Sequence, residues 1–305
     1  MNKTKKNIVI IGSTGIIGSY LYEKLRGNKF FKTIGTSSQK NIENKKYYLD
    51  LTIPDTIYSF LEKIDNIDVL VFTVGLAHKK GIGRDIEEFR LINYQTLVSL
   101  LNKMSELNKN PTKIIFLSSI SVYGESLKHR YYDESFNPKP LSPYAKTKYD
   151  AENFLLKNYP NNSWILRLAP VYSEKFRLNI NRRTKILNFY YMVGSGENHL
   201  SLLNIKNIMT VIDGVINKKI PYGIYNVSDY KRYKFTNLLE NIEVRKIIIP
   251  NFMVKFMYLL GKILNNIFLV ENSIKLLSDN IYSSKKLNQF IEVKYLFHSN
   301  SSIDN

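Results

Sequence analysis

The chain has 305 residues, of which 44% are hydrophobic, enough to build one large domain or two unequal lobes. It contains no cysteine, so disulfides and thiolate metal sites are excluded, and a reducing compartment, the cytoplasm, is expected. The formal net charge is +18, but the lysines are spread along the chain without a basic stripe of interleaved aromatic residues. A nucleic-acid partner is therefore not expected, and a basic pocket for an anionic ligand fits the charge at least as well.

Neither a metal site nor a membrane span is predicted. The four histidines lie far apart and lack metal-ligand spacing: His78, His129, His199 and His298. The apolar run 7–12 is too short for the core of a secretory signal. The most apolar later stretch, 247–270, is interrupted by Lys255 and Lys262. It is interpreted as a buried or interfacial helix, which leaves peripheral membrane contact open.

Short β-rich runs alternate with helical patterns over the first 170 residues. The predicted strands are 7–12, 31–36, 46–50, 68–74, 113–118 and 164–169. In the first predicted helix Ile17, Leu21 and Leu25 share a face. The later predicted helices are 53–64, 85–104 and 142–158. This alternation predicts an α/β fold with a doubly wound parallel sheet.

A glycine-rich turn follows the first predicted strand. Gly12, Gly15 and Gly18 lie between an apolar strand and an amphipathic helix, in the pattern of a Rossmann dinucleotide-binding turn. The first glycine allows the tight turn, the second lets the backbone approach a pyrophosphate, and the third lets helix and strand pack closely. The phosphates would meet free N–H groups at the helix N-terminus. The residues expected at the cofactor here are Gly12, Thr14, Gly15, Ile16 and Ile17.

The end of the second strand bears on the type of dinucleotide. NAD-selective sites usually place an acid there, whereas this chain has Thr36 and Ser37, with Lys40 nearby. Small hydroxyls and a lysine would tolerate a 2′-phosphate, so the cofactor is expected to be NAD or NADP, with a preference for NADP. Asp50 and Leu51 follow the third strand and are expected near the adenine edge.

The segment 142–148 is a second motif and predicts the start of a helix. Ser142 suits the N-cap, and Pro143 suits the first helical position. Tyr144 and Lys148 are then four residues apart and share one face. An ammonium beside a phenol is expected to lower the tyrosine pKa, so that Tyr144 exchanges a proton with a substrate hydroxyl near neutral pH. Ser119 follows an apolar strand, and its hydroxyl is a candidate to hold the same substrate oxygen.

The alternation of strands and helices ends near residue 170. We expect a dinucleotide-binding Rossmann domain over 1–172 and a smaller substrate-binding lobe over 173–305. A short strand is predicted at 225–228, and part of the lobe is expected to return to the main sheet. The helices predicted in the lobe are 235–242 and 251–268.

Together these motifs resemble the extended short-chain dehydrogenase/reductase superfamily, specifically its nucleotide-sugar epimerase/dehydratase branch. The resemblance extends from about residue 7 to about residue 230. The segments that carry it are the glycine turn, Ser119 with 122–124, Tyr144 with Lys148, 167–172 and 225–228.

The resemblance implies a role for each matching residue. Tyr144 would be the acid/base, Lys148 would also hold the nicotinamide ribose, and Ser119 would position the sugar oxygen. Asn93 matches an asparagine that orients the region around the lysine. The further residues implied at the cofactor are Val74 and Gly75. The residues implied at the substrate are Ser121, Asn179 and Arg183.

The chain departs from this branch in two places. Phe72 and Val74 stand where a histidine and an alanine are often found, and Val74 is expected to crowd the cofactor slightly. Leu200 stands where the second lobe usually carries an arginine for the substrate diphosphate. The candidates to replace that charge are Arg177, Arg182 and Arg183.

The resemblance implies an NAD(P)-dependent enzyme that acts on a nucleotide-activated hexose through a 4-keto state, in cell-surface polysaccharide synthesis. A 4-epimerase and a 4-keto reductase both stay open, although 193–199 and the missing acid near Thr36 look more like a reductase. A dehydratase is less expected, because Ile120 and Ser121 follow Ser119 where an Asp-Glu pair is often found.

Two further function classes remain as alternatives. One is a catalytically silent dinucleotide-binding sensor or assembly protein, although such proteins commonly lose the tyrosine or the lysine. The other is a module that binds a membrane surface or nucleic acid through its net charge and its apolar helix. Homodimerisation through the helices at 85–104 and 142–158 is implied by the resemblance.

Overall fold

The structure is a computed structural model of the chain. The structure describes residues 5–40, 47–76, 86–124, 126–128, 130–240 and 242–297. The chain divides into two compact units, each made of non-contiguous segments. The first unit contains Met1–Ser119, Pro143–Leu166 and Ile212–Ile224, and the second contains Ile120–Ser142, Arg167–Val211 and Tyr225–Asn305. The boundary predicted at residue 172 stays a prediction.

A seven-stranded sheet organises the described chain. Its strands are β1 (Lys6–Ile11), β2 (Phe31–Ser37), β3 (Tyr47–Tyr48), β4 (Val69–Phe72), β5 (Lys113–Ser119), β7 (Ser163–Leu168) and β13 (Gly223–Val227). The strand order is β13-β7-β5-β4-β1-β2-β3, and β1 pairs in parallel with both β2 and β4. The predicted doubly wound α/β fold is confirmed, and β13 lies at one edge of the sheet, beside β7.

Helices and an apolar core cover the sheet. The helices of the first unit are α1 (Ile16–Arg26), α2 (Pro54–Glu62), α3 (Ile86–Arg90), α4 (Thr96–Glu106) and α5 (Pro143–Asn158). Strand β4 is buried along its whole length, as its continuous apolar sequence predicts. One core cluster joins it to the strands and helices around it, through Phe72, Phe116, Leu100 and Leu155.

The helix predicted at 85–104 is interrupted. Between α3 and α4 the backbone makes a π-helical segment, Leu91–Gln95. Such segments are rare and are often found at functional sites, because the extra residue in the turn changes the direction of nearby side chains. Asn93 lies in this segment and is fully buried.

The second unit consists of short elements. They are a 3-10 turn (Ile120–Tyr123), β6 (Tyr131–Tyr132), β8 (Val171–Tyr172), α6 (Leu178–Thr184), β9 (Lys185–Ile186), β10 (Phe189–Val193), β11 (His199–Leu200), β12 (Leu203–Asn204), β14 (Tyr233–Lys234), α8 (Phe235–Leu238), β15 (Ile247–Ile249), α9 (Asn251–Ile263), α10 (Ile267–Leu277), β16 (Ile281–Tyr282) and α11 (Lys285–Asn288). Helix α7 (Ile205–Ile216) passes from the second unit into the first.

Within the described residues no helix is both long and apolar enough to cross a bilayer.

The helices predicted in this unit differ from those observed. The helix expected at 235–242 ends at Leu238, and the one expected at 251–268 is divided into α9 and α10. The division has a local cause, because Asn265 adopts a left-handed backbone with φ 50°. The side chain of Asn266 then caps α10 by accepting a hydrogen bond from the Leu269 amide at 3.1 Å.

A buried carboxylate organises the core of the second unit. Asp229 accepts hydrogen bonds from the phenols of Tyr172 and Tyr233 at 2.8 and 2.9 Å. It also accepts from the Asn204 amide and the Asn207 side chain, both at 2.8 Å. Burial raises the pKa of Asp229, and these hydrogen bonds oppose that shift. The four donors compensate the cost of burying a carboxylate.

Candidate functional site

The glycine turn between β1 and α1 has three distinct steric environments. Gly12 has φ +82°, and a Cβ added there would lie 2.8 Å from Cγ2 of Val74. A Cβ on Gly18 would overlap the carbonyl oxygen of Gly12. By contrast, the nearest atom to a Cβ on Gly15 is 3.6 Å away. The chain's own packing therefore requires Gly12 and Gly18, whereas Gly15 leaves open a cradle of the kind that a pyrophosphate needs.

The second strand holds this turn in place. The Gly12 amide donates to Oγ1 of Thr36 at 3.2 Å, and the Ser13 amide donates to the Thr36 carbonyl at 3.0 Å. Thr36 is buried, so its hydroxyl oxygen accepts the hydrogen bond from the turn in the protein interior. Ser37 is also buried, and its Oγ accepts from the Gln39 amide at 3.0 Å. Thr14 is exposed and lies in the turn itself.

The remaining residues predicted at the cofactor surround the same strand ends. Ile16 and Ile17 begin α1, exposed and half-buried respectively. Asp50 caps a turn, because its Oδ1 accepts from the amide and the hydroxyl of Thr52 at 3.0 and 2.6 Å. Leu51 packs against the core.

A serine and a tyrosine meet within the first unit. Ser119 is the last residue of β5, and Tyr144 is the second residue of α5, which begins at Pro143 as predicted. The Ser119 side chain is hydrogen-bonded to the Tyr144 phenol. The predicted downward shift of the tyrosine pKa is wrong for this structure: burial raises the pKa of Tyr144, and the hydrogen bond with Ser119 lowers it only in part.

Lys148 follows Tyr144 by four residues on α5 and is buried, with 3% of its surface exposed. Its Nζ donates to the carbonyl of Leu117 at 3.0 Å and to that of Val74 at 3.3 Å, and it lies 4.7 Å from the centroid of the Phe116 ring. Burial lowers the pKa of Lys148 to about 8, and the charge of Glu152 opposes that shift. The lysine is thus held at the carboxyl ends of β4 and β5, where ligands of such sheets bind.

Glu152 is a component of the site that sequence reasoning missed. It is fully buried, and its Oε1 accepts a hydrogen bond from the Ser118 hydroxyl at 2.5 Å. Its position four residues after Lys148 on the same helix face was the available signal. Ser118 precedes Ser119, so Glu152 connects the strand that carries the serine to the helix that carries the lysine.

Asn93 connects the π-helical segment to the same helix. Its Oδ1 accepts from the Leu76 amide at 2.7 Å, and its Nδ2 donates to Oγ1 of Thr147 at 3.2 Å. Thr147 immediately precedes Lys148. A Cβ on Gly75 would lie 3.0 Å from Nζ of that lysine, so the absence of a side chain there leaves room for the ammonium.

The residues predicted at the substrate belong to the second unit. Asn179 and Arg183 lie one turn apart on α6, where Nη1 of Arg183 donates to the Asn179 carbonyl at 2.7 Å. The Asn179 side chain donates to the Val171 carbonyl at 2.8 Å. Ser121 is half-buried in the 3-10 turn. The guanidinium of Arg177 lies 5.5 Å from the Phe297 ring.

Comparison with known families identifies the arrangement. The profile of the NAD dependent epimerase/dehydratase family matches residues 8–228, a range that contains the glycine turn, Ser119, Tyr144 and Lys148. The chain belongs to this family. As an epimerase/dehydratase family member it is an NAD(P)-dependent enzyme, and the resemblance inferred from the motifs is confirmed.

Individual members of the epimerase/dehydratase family agree with this assignment. A Methanocaldococcus jannaschii protein, whose provisional name is UDP-glucose 4-epimerase, is 31% identical over 55% of this chain and 57% of its own length. The chain therefore spans little more than half of that relative. The Bacillus subtilis protein named uncharacterized UDP-glucose epimerase YtcB is 25% identical over 78% of this chain and 83% of its own length.

Solved structures share the fold. UDP-glucuronic acid 4-epimerase from Bacillus cereus, crystallised with UDP-glucuronic acid and NAD, superposes with a TM-score of 0.70 at 17% identity. The match covers 96% of this chain and 95% of that one. Structural neighbours include complexes with NAD and with NADP.

Proposed function

We propose that the chain transfers a hydride at C4 of a nucleotide-activated hexose, as a 4-epimerase or a 4-keto reductase. The observation that carries the proposal is the hydrogen bond between Ser119 and the Tyr144 phenol, together with the burial of Lys148, four residues further along α5, at the carboxyl ends of β4 and β5. The names of the relatives favour a UDP-sugar. A role in cytoplasmic synthesis of cell-surface polysaccharides, and a homodimer, are proposed from the resemblance alone.

Tyr144 is the group that moves the proton. As the phenolate, Tyr144 accepts the proton of the sugar hydroxyl when the carbonyl forms at C4, and as the neutral phenol it donates that proton when the carbonyl is reduced. Burial favours the neutral phenol, whereas the hydrogen bond from Ser119 favours the phenolate. Ser119 thus has two roles, since it orients the phenol and lies within reach of the same sugar oxygen. When bound, the nicotinamide supplies the donor or acceptor of the hydride.

Lys148 and Asn93 shape the region where the nicotinamide ribose would be held. The ammonium is anchored by two backbone carbonyls, and Gly75 leaves the space beside it open. Asn93 positions the lysine's neighbour, Thr147. The open cradle at Gly15 would receive the pyrophosphate at the start of α1. These features support the proposal that a dinucleotide binds here.

The choice between NAD and NADP separates the two subtypes. No carboxylate stands at Thr36 or Ser37, where NAD-selective sites usually have one. We therefore propose NADP and a reductase ahead of NAD and an epimerase. Native mass spectrometry of the freshly purified protein distinguishes them, because an epimerase retains its NAD through the cycle, whereas a reductase must release its dinucleotide at each turnover.

Replacement of Tyr144 by phenylalanine tests the mechanism. Tyr144→Phe removes the proton-transferring oxygen and leaves the ring in place, so turnover of UDP- and dTDP-hexoses is expected to fall by about 100-fold or more. Affinity for the dinucleotide, measured by fluorescence titration, is expected to stay within about twofold of wild type, because the glycine cradle is unchanged.

Tyr149→Phe is the matched control. Tyr149 lies on the same helix, about 140° around its axis from Tyr144, so its phenol should be dispensable for turnover. If Tyr144→Phe retains the wild-type rate, the proposed mechanism is wrong. If the wild-type protein binds the dinucleotide but turns over no nucleotide sugar, the silent sensor becomes the better description.

A further inference from the structure

An unpartnered apolar surface lies on the pair of helices α9 and α10. We call it the apolar ridge and define it by the large side chains that point to solvent from these helices and their connecting turn. They are Phe252, Met253, Phe256, Leu259, Ile263, Leu264, Ile267 and Phe268, with exposed fractions of 41–77%. Isolated exposed apolar residues are common, but a contiguous set of this size marks an interaction surface.

The ridge follows from the way the two helices pack. Val254 and Gly261 form the buried stripe of α9. A Cβ on Gly261 would lie only 2.9 Å from Cβ of Leu269, so the glycine permits close approach of α10. At about 100° per residue, Phe256 and Ile263 fall on the side of α9 opposite this stripe. The outward direction of the ridge is therefore set by the contact that holds the helical pair together.

The charged side chains in 244–270, the segment that carries the ridge, all have one sign. Between Glu243 and Glu271 the chain contains no acidic residue and four basic ones: Arg245, Lys246, Lys255 and Lys262. Lys255 and Lys262 are exposed on one flank of α9, seven residues apart and hence on the same side. Lysine side chains in this position can extend their ammonium groups to lipid headgroups while their stems contact the apolar layer.

We propose that the apolar ridge docks the protein on an anionic lipid surface, with α9 lying in the plane of the interface. An amphipathic helix with aromatic and aliphatic residues on one face and lysines on its flank is suited to the boundary between headgroups and acyl chains. No described helix is long and apolar enough to span the bilayer. A symmetric contact with a second copy fits less well, because it would bring Lys255 and Lys262 of the two copies towards each other.

Vesicle flotation tests the proposal with the full-length protein. The wild type is expected to float with vesicles of phosphatidylcholine and phosphatidylglycerol, to bind less at high salt, and to bind phosphatidylcholine alone weakly. Lys255→Gln and Lys262→Gln should each weaken partitioning about fivefold. The double variant Phe256→Ser with Ile263→Ser should weaken it by at least about tenfold, because two anchors are lost from the apolar layer.

Matched controls come from the first unit. Lys63→Gln with Lys157→Gln removes the same charge from exposed positions, and Phe30→Ser removes an exposed aromatic ring. These variants should float like the wild type, and circular dichroism verifies the fold of every variant. Failure to float with anionic vesicles overturns the proposal, as does flotation that the ridge variants do not change. It is also overturned if light scattering detects a dimer that Phe256→Ser dissociates while no lipid binding occurs, because the ridge would then join two copies.

Discussion

At the residue scale, the cost of burying one ammonium group shapes the candidate site. Lys148 exchanges water for two backbone carbonyls, an aromatic face and the charge of Glu152. These partners compensate only part of the desolvation, which is why the pKa falls to about 8. Strongly shifted pKa values of this kind are often found at sites that bind and transform ligands.

The buried lysine predicts how stability depends on pH. Because the folded pKa of Lys148 is below the unfolded value of 10.5, the unfolded chain binds more protons between these values, and stability should rise with pH across this window. Relative to Lys148→Met, the wild type should gain on the order of 3 kcal/mol in unfolding free energy between pH 8 and pH 10.5. Urea denaturation at several pH values measures the difference.

The exposed Lys157 provides the control for this measurement. It lies on the same helix as Lys148, so Lys157→Met removes a cation from that helix without removing a buried one. The change of unfolding free energy with pH should therefore be compared between Lys148→Met and Lys157→Met. If the difference between the wild type and Lys148→Met does not vary with pH, the lowered pKa of Lys148 is contradicted.

At the scale of the element, the glycine turn separates structural from ligand-related requirements. Two of its glycines are needed by the chain itself, since a side chain at Gly12 or Gly18 would meet its neighbours. Gly15 has an ordinary extended backbone, with φ −71° and ψ 167°, and a Cβ there would make only an ordinary contact, 3.6 Å from the Gly12 carbonyl oxygen. All three positions are glycine, yet the same substitution should affect stability at some of them and ligand binding at another.

Alanine at these positions is expected to affect different properties. Gly18→Ala should lower the unfolding free energy by about 3 kcal/mol or more, because helix α1 must move away from β1. Gly15→Ala should change stability by less than about 1 kcal/mol and weaken dinucleotide binding about tenfold or more, since the methyl group occupies the cradle. Urea denaturation and fluorescence titration measure the two effects. Equal dinucleotide affinity of Gly15→Ala and the wild type would show that this glycine is not part of a binding surface.

At the scale of the whole molecule, the two compact units are interleaved along the chain. Residues 212–224 belong to the same unit as β1, β5 and β7. Three long side chains bind this late segment: Lys6 donates to the Ile216 carbonyl at 3.1 Å, Lys113 to that of Val215 at 2.5 Å, and Trp164 to that of Ile220 at 3.0 Å. The sheet-containing unit is therefore incomplete until residue 224.

Truncation tests how far this interleaving determines folding. A fragment of residues 1–172, the domain predicted from the sequence, lacks the segment that those three side chains bind. It is expected to show no cooperative urea transition by circular dichroism, whereas the full-length chain should show one. A cooperative transition of the fragment, with a denaturant dependence appropriate to its length, would favour the boundary at residue 172 instead.

Local patterns were sufficient to predict much of this protein. The six early strands, the glycine turn and the start of α5 at Pro143 follow from alternation, apolar runs and helix-start residues, whose signals lie within a few neighbouring positions. The same applies to the family, because Gly12, Ser119, Tyr144 and Lys148 occur at characteristic spacings. The tertiary structure was needed to find the π-helical segment around Asn93 and the division of 251–268 at Asn265.

The sequence by itself determined which chemical groups are present and how strands and helices follow one another along the chain, since hydrophobic periodicity and turn residues act locally. Only the tertiary structure decided their environment. The pKa of Tyr144 is raised rather than lowered, and buried Glu152 accepts a hydrogen bond from Ser118. Both results depend on burial by residues that are distant along the chain, and desolvation is a property of the packed molecule that no short segment encodes.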